Sequence, residues 1–233
     1  MKRTGSMYTL NLLKKIPNII HGFGTRNWKT EDFRSVYPFL DFNVFFLKQI
    51  HSDIIHIIGE PPYKSLTGDA MITDRPGILL AVKTADCLPI LLADKKGRVV
   101  AAVHCGWRST GKEILRKTAV LMMKTFGIQP SDIVAGLGPS IGKTCYEVGA
   151  DVKEDFAEKH LDLKCFYEHP DKKDKYLLDI KEANQEQLLN LGIHSKAIAS
   201  IDLCTHCEKD LFSYRLEGGK AGRLINFIGI KKN

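Results

Sequence analysis

The sequence predicts an α/β protein whose sheets are mixed or antiparallel and flanked by helices. Three observations carry this. Short apolar runs rich in Ile and Val, bounded by Gly, Pro or charged residues, recur along the 233 residues. Helical patterns lie between only some of these runs, with no steady β-α-β rhythm. Residues 78–104 hold three runs with almost nothing between them, unlike a doubly wound parallel fold.

Taken in order, the runs at 54–58, 78–82, 88–93, 99–104, 133–137, 197–201 and 224–230 are expected to be buried strands. Residues 111–126 place Ile114, Leu115, Thr118, Ala119, Met122 and Phe126 on one helical face, and Gly127 supplies a stop. A second helix is expected over about 150–160. A third begins at Asp179 as N-cap, with Glu182 three positions on as a capping box, and ends at Gly192. The polar segment 168–175 reads as an exposed loop. There is no internal repeat or low-complexity linker.

Composition sets the class. The chain is 44% hydrophobic and 26% charged, with 9 Pro and 19 Gly, as in ordinary soluble domains. Its 26.2 kDa allows one or two domains, and no composition break argues for two. No apolar stretch approaches the roughly 18 residues of a spanning helix, and no signal-peptide pattern opens the chain, so a cytoplasmic protein without a membrane partner is expected. Gly5-Ser6 before Met7 could be a cloning remnant, so residues 1–6 carry no weight. Six cysteines are too sparse for a disulfide scaffold and read as thiols. The net charge of +7 is spread out, with Lys14-Lys15, Lys95-Lys96, Lys172-Lys173 and Lys231-Lys232 as the Lys-Lys doublets. A basic cleft for a phosphate-bearing small molecule fits this as well as nucleic acid does.

Three stretches put chemistry at the ends of apolar runs: Lys48-Gln49-Ile50-His51, Thr84-Ala85-Asp86-Cys87-Leu88-Pro89 and Ala102-Val103-His104-Cys105-Gly106-Trp107-Arg108. A Cys with two His suits zinc, which takes thiolate and imidazole and needs only three protein ligands when the fourth position stays open. The separations of 36 and 17 positions match no local metal motif, so two satisfied core histidines and a buried thiol are the bland alternative. Cys105 neighbours His104 but faces the opposite side of a strand. Cys204-Thr205-His206-Cys207 is a lone Cys-x-x-Cys. With Cys145 and Cys165 far off in sequence, it is not read as a zinc knuckle.

Eight ordered blocks then carry a resemblance: HGFGTR (21–26), KQIHSD (48–53), GDAMIT (68–73), TADCLPILLAD (84–94), AAVHCGWRST (101–110), GLGPSIGKTCYEVG (136–149), DIKEANQEQLLNLGI (179–193) and CTHCEKDLFSYRLEGGKAGR (204–223). The chain resembles the YfiH, or laccase-domain, family, also described as polyphenol oxidases. The resemblance implies one domain over 1–233 with an α/β/β/α layered sandwich, and a metal centre of His51, Cys87 and His104 holding zinc or, alternatively, copper. It also implies a purine nucleoside phosphorylase acting on adenosine, inosine and methylthioadenosine, with phosphate as co-substrate and adenosine deaminase activity besides.

Arg108, four residues after His104 at a strand-to-helix turn, is the candidate to hold phosphate together with the helix N-terminus, and Arg26 is a second candidate. Gln49, Asp69, Thr84 and Asp86 are candidates for binding substrate or orienting a metal-bound imidazole, with turn and cap duty as their alternative. Two other enzyme readings compete. Cys87 and His104 could form a thiolate-imidazole pair cutting an amide in a cell-wall precursor. A multicopper oxidase is the weaker one, since such sites draw on many imidazoles, and the eight His here include no His-x-His pair.

Overall fold

A computed structural model describes residues 2–29, 31–32, 41–59 and 65–232. In chain order the strands are β1 (Lys2–Thr4), β2 (Met7–Thr9), β3 (Ile19–Gly24), β4 (Asn43–Phe46), β5 (Ile55–Ile57), β6 (Ala70–Thr73), β7 (Ile78–Thr84) and β8 (Leu88–Asp94). They continue with β9 (Val100–Cys105), β10 (Ile133–Leu137), β11 (Glu147–Gly149), β12 (Phe166–Glu168), β13 (Lys175–Leu178), β14 (Ile198–Ser200) and β15 (Leu224–Ile230). The helices are α1 (Asn11–Lys14), α2 (Trp107–Gly111), α3 (Ile114–Phe126), α4 (Ala150–Glu158), α5 (Ile180–Asn190) and α6 (Tyr214–Glu217).

Two six-stranded mixed sheets form the body, in the orders β1-β2-β3-β15-β7-β4 and β14-β10-β8-β9-β6-β5. A small sheet, β11-β13-β12, lies apart from them. The pairs β4/β7, β5/β6 and β10/β14 are parallel, and the remaining neighbours are antiparallel. The mixed α/β class expected from the sequence is therefore the one observed, and all seven expected strands are present, although β5 and β14, at the two edges of the second sheet, are not buried as expected. Residues 2–4, set aside above, pair with Met7–Thr9 at the edge of the first sheet.

The sheets stack face to face. Phe23, Leu80, Val82 and Ile228 of the first meet Met71, Leu91, Val100 and Ala102 of the second in one apolar layer. The opposite face of the second sheet, Ile72, Ile90, Leu92 and Val103, packs on Leu115, Ala119 and Met122 of α3 and on residues of α4 and α5. On the outer face of the first sheet, Leu79, Ala81 and Phe227 are covered by Trp28, with Phe42 alongside. Every residue of β8 is buried because both its faces are covered, which is why it reads as an unbroken apolar run.

One helix boundary and one capping contact differ from expectation. The run 111–126 is broken at Lys112-Glu113, where Glu113 takes φ +57°, so a five-residue α2 precedes α3. The expected face of Ile114, Leu115, Thr118, Ala119 and Met122 is buried, and Gly127 closes the helix at φ +63°. Asp179 caps α5 by accepting from the Lys181 and Glu182 amides. The Glu182 carboxylate accepts from Tyr167 Oη at 2.8 Å on the neighbouring strand, where the sequence had suggested the other half of a capping box. Of the segment read as a loop, Glu168 and Lys175 end the strands of a hairpin, and 169–174 form its turn.

Candidate metal centre

Strand pairing brings three distant segments together. β8 and β9 are antiparallel, with Pro89 opposite His104 and Leu88 opposite Cys105, so Cys87, at the entry to β8, lies beside the end of β9. Alternation along β9 sends Val103 and Cys105 to the helix-side core and Ala102 to the layer between the sheets; His104, two residues on from Ala102, shares its face. β6 pairs with β9 on the other side, and Asp69, immediately before β6, joins His104 to the loop that carries His51.

Asp69 organises the site although it does not line the cavity. Its fully buried carboxylate accepts from the Ile50, His51 and Ser52 amides at 3.2, 3.0 and 2.6 Å, from Ser52 Oγ at 2.7 Å, and from His104 Nδ1 at 2.8 Å. Burial works to raise its pKa, but the hydrogen bonds from His104 and Ser52 hold it well below the usual carboxylate range. Three amides aimed at one carboxylate also hold His51 at φ +58°, a left-handed conformation that costs a non-glycine residue on the order of 1–3 kcal/mol. Because Nδ1 of His104 is engaged by Asp69, its Nε2 is the atom free to ligate.

The result is a convergent donor set. One ligand atom each from His51, Cys87 and His104 lies within 4.8 Å of the others, and Cys87 Sγ is 3.7 Å from His51 Nε2. A sulfur and a nitrogen bound to one tetrahedral zinc sit about 3.6 Å apart, so the residues fit the ion. Gly106 leaves them room: a Cβ there would stand 2.8 Å from His51 Cδ2 and 3.1 Å from Cys87 Sγ. Burial disfavours the Cys87 thiolate, but His104 and His51 outweigh it and bring its pKa down to about 6. Burial likewise disfavours the His104 cation, yet Cys87 and Asp69 raise its pKa to about 9. Cys105, buried in the core, is pushed well above the ordinary thiol range by that burial and by the Cys87 charge, which leaves it a neutral thiol.

The three donors lie at a cavity of about 800 Å³. Arg108 lines it, stacked 4.2 Å over the Trp107 ring, and makes no ion pair among the described residues. Arg108 is the second residue of the five-residue α2, and Lys83, Arg215 and Arg223 line the same cavity. Gln49, Thr84 and Asp86 also line the cavity. Gln49 exchanges two 2.8 Å hydrogen bonds with the Lys83 backbone, and Thr84 accepts from Asn226. Asp86, at φ +88°, accepts from Thr205 Oγ1 and the Arg215 amide, both at 2.6 Å. Arg26 is elsewhere: it forms a two-pronged pair with Glu217, donates to the Leu211 carbonyl and lies over Phe212, outside the lining of this cavity.

Sequence reasoning passed over Lys83, Tyr146, Arg215 and Arg223 on the cavity wall. The last three sit inside two of the quoted blocks, but nothing in their local spacing marks them. Burial holds Tyr146 as a neutral phenol, its pKa raised well above the usual value. The expectation that Cys204-Thr205-His206-Cys207 lacks a partner is corrected, because the fold brings Cys145 to it, with Cys145 Sγ 3.5 Å from Cys207 Sγ.

Comparison with known proteins agrees with this architecture. The sequence family described as multi-copper polyphenol oxidoreductase laccase matches residues 30–231. A Bacteroides thetaiotaomicron protein named purine nucleoside phosphorylase is 40% identical over 70% of this chain, and the match covers 61% of that protein's own length. The Escherichia coli K12 protein named purine nucleoside phosphorylase YfiH is 39% identical over 78% of this chain and 72% of its own. A Haemophilus influenzae protein of the same function name is 32% identical over 95% and 99%. Among solved structures, Bacillus licheniformis hypothetical protein YfiH superposes with a TM-score of 0.87 at 28% identity, covering 98% of this chain and 97% of that one. YlmD from Geobacillus stearothermophilus gives 0.87 at 25% identity over 100% and 98%. No helix among the described residues is long and apolar enough to cross a membrane. The chain belongs to the YfiH, or laccase-domain, family.

Proposed function

We propose that this chain is a cytoplasmic, zinc-dependent purine nucleoside phosphorylase, working as one catalytic unit over 1–233. Its substrates are adenosine, inosine and methylthioadenosine. The carrying observation is the convergence of His51, Cys87 and His104 on a cavity that also presents Arg108, a guanidinium with no ion pair among the described residues. The names of the relatives support the substrate class.

In phosphorolysis a phosphate oxygen forms a bond to the ribose anomeric carbon, the glycosidic bond breaks, and its electron pair leaves with the purine. Arg108 holds and orients the attacking phosphate with its planar fork, and Lys83, Arg215 and Arg223 add positive charge to the same wall. Trp107 fixes the Arg108 guanidinium by stacking. Tyr146, kept neutral, is a hydrogen-bond donor on the cavity wall. Asp69 holds the His104 ring and the His51 loop in place. A zinc ion held by His51, Cys87 and His104 would supply Lewis acidity at the cavity floor. Adenosine deamination at the same cavity uses water in place of phosphate, at purine C6, and releases ammonia.

One feature favours a second reading. Without metal, the lowered Cys87 and raised His104 pKa values would favour a thiolate-imidazolium pair oriented by Asp69, the arrangement of a cysteine acyl transferase. The test is a nucleoside panel with and without phosphate, run beside iodoacetamide labelling of Cys87. Phosphate-dependent base release with Cys87 protected by zinc supports the phosphorylase. Rapid labelling of the zinc-incubated protein, with no base released, would support the acyl transferase.

A further inference from the structure

Outside the cavity, the fold gathers a second set of soft ligands. Ligand atoms of Cys145, His206 and Cys207 lie within 4.8 Å of one another, and none of the three lines the cavity. Cys204 completes a Cys-x-x-Cys turn, its carbonyl accepting from the Cys207 and Glu208 amides at 3.1 and 3.0 Å. We propose that Cys145, His206 and Cys207 hold a second zinc ion whose role is structural, and that Cys204, whose sulfur stands outside that group here, turns in as its fourth ligand.

The sulfur geometry favours a shared ion over a disulfide. Cys145 Sγ and Cys207 Sγ are 3.5 Å apart, far beyond the roughly 2.05 Å of an S–S bond. Two thiolates on one tetrahedral zinc, each about 2.3 Å from it, stand about 3.8 Å apart. The Gly142 amide donates to Cys204 Sγ at 3.1 Å, the kind of backbone contact that orients and stabilises a metal-bound thiolate. Gly142 also permits the approach, since a Cβ there would stand 3.2 Å from Cys204 Cβ and 3.3 Å from its sulfur.

The two segments are already docked before any ion is considered. Ser140 bridges to Cys204, the Thr205 amide donates to the Ser140 carbonyl at 3.0 Å, and the Cys145 amide donates to the Gly142 carbonyl at 2.9 Å. Side-chain contacts, chiefly Arg26 with Leu211 and Glu217 and Asp86 with Thr205 and Arg215, hold the second segment in place of regular pairing. Between Ile201 and Arg223 the chain has no strand, only the four-residue α6 and one 3₁₀ turn. Yet this segment supplies Thr205 and Arg215 to Asp86 and places Arg215 and Arg223 on the cavity wall. Tyr146, next to Cys145, stands on the same wall. A zinc ion here would staple the two segments that close one side of the cavity. With Cys204 turned in, four protein ligands would leave no open position, in contrast to the three at the cavity floor.

The test is a metal count on the whole chain, reconstituted with zinc under reducing conditions. Two zinc per chain are expected for the native protein, one for Cys87→Ala, and one for Cys145→Ser/Cys207→Ser. Cobalt in the Cys87→Ala protein should give sulfur-to-cobalt charge-transfer and tetrahedral ligand-field bands, which Cys145→Ser removes. If the double variant fails to fold, the count and spectrum of Cys87→Ala carry the test. If the site at the cavity floor binds nothing, the native protein should still hold one zinc, insensitive to Cys87→Ala. A folded Cys87→Ala protein with no zinc would overturn the proposal, whether Cys145 and Cys207 titrate as free thiols or are joined as a disulfide.

Discussion

The two His/Cys clusters draw on the same atoms and are built differently. At the cavity floor the donors come from three segments spread over 54 positions of sequence, and a buried carboxylate, Asp69, sets a left-handed loop and an imidazole in place. The surface cluster takes its donors from two short turns already docked by backbone hydrogen bonds. The first faces about 800 Å³ of space and the Arg108 guanidinium, which makes no ion pair among the described residues; Cys145, His206 and Cys207 do not line that cavity. Donor identity alone therefore does not separate a reactive centre from a structural one. What separates them is the supporting structure and what lies in front.

The comparison is broken most severely at Cys87. Cys87→Ala should abolish metal binding at the floor and lower phosphorolysis by roughly 10³-fold or more, since a ligated metal contributes several kcal/mol to charge stabilisation. The surface cluster should keep its ion. Equal loss of both metals, read by mass spectrometry of the native complex, would contradict the separation.

Arg108 is next. Arg108→Ala and Arg108→Lys should both reduce phosphorolysis by about 30- to 150-fold, because an ammonium lacks the planar fork and loses the stack on Trp107. Deamination should fall much less. Comparing adenine with inosine as products from adenosine separates the two reactions. Equal loss of both would reassign Arg108 to holding the nucleoside.

Asp69→Asn should weaken zinc at the cavity floor by roughly 10- to 100-fold, as loss of an imidazole-orienting carboxylate does elsewhere, and leave the surface site untouched. Competition with a chromogenic chelator reads both affinities. Unchanged affinity at the floor would remove Asp69 from its orienting role.

The smallest effect on either centre is expected from His21, a contrast to His104. Both imidazoles are buried, but His21 Nε2 accepts from the Leu10 amide. Burial, with Lys14 nearby, lowers its pKa to about 4. The unfolded chain, with a histidine near 6.5, then binds more protons than the folded one below that pH. The His21 contribution to stability is full above about 6.5 and falls toward pH 4, by about 3 kcal/mol in all. Urea midpoints between pH 7 and 4 should show this slope, and His21→Gln should flatten it. A flat native profile would mean His21 titrates normally.

Much of this was legible in the sequence, for reasons that can be named. β8 and β15 read correctly because both faces of each are covered and the apolar run is unbroken. β6 was not marked as a strand, since Ala70–Thr73 is too short to show a period. The donors His51, Cys87 and His104 stood out as soft ligands at strand ends, but residue type gave no distance between them. Asp69 could be read as a turn residue or an orienting carboxylate, and it proves to hold the loop and the imidazole together. Arg26 looked like Arg108 in sequence; the difference is Glu217, 191 positions away. Cys145 was hidden from the Cys-x-x-Cys at 204–207 by the same kind of separation, 62 positions, which only the tertiary fold closes.

The measurement that bears most directly on the account is inosine turnover by the zinc-loaded chain, with hypoxanthine and ribose 1-phosphate quantified in parallel, with and without phosphate. Both products are expected in equal amounts, only when phosphate is present, and neither from Cys87→Ala. Hypoxanthine released equally well without phosphate, or none released by protein carrying zinc at the cavity floor, would contradict the phosphorylase reading.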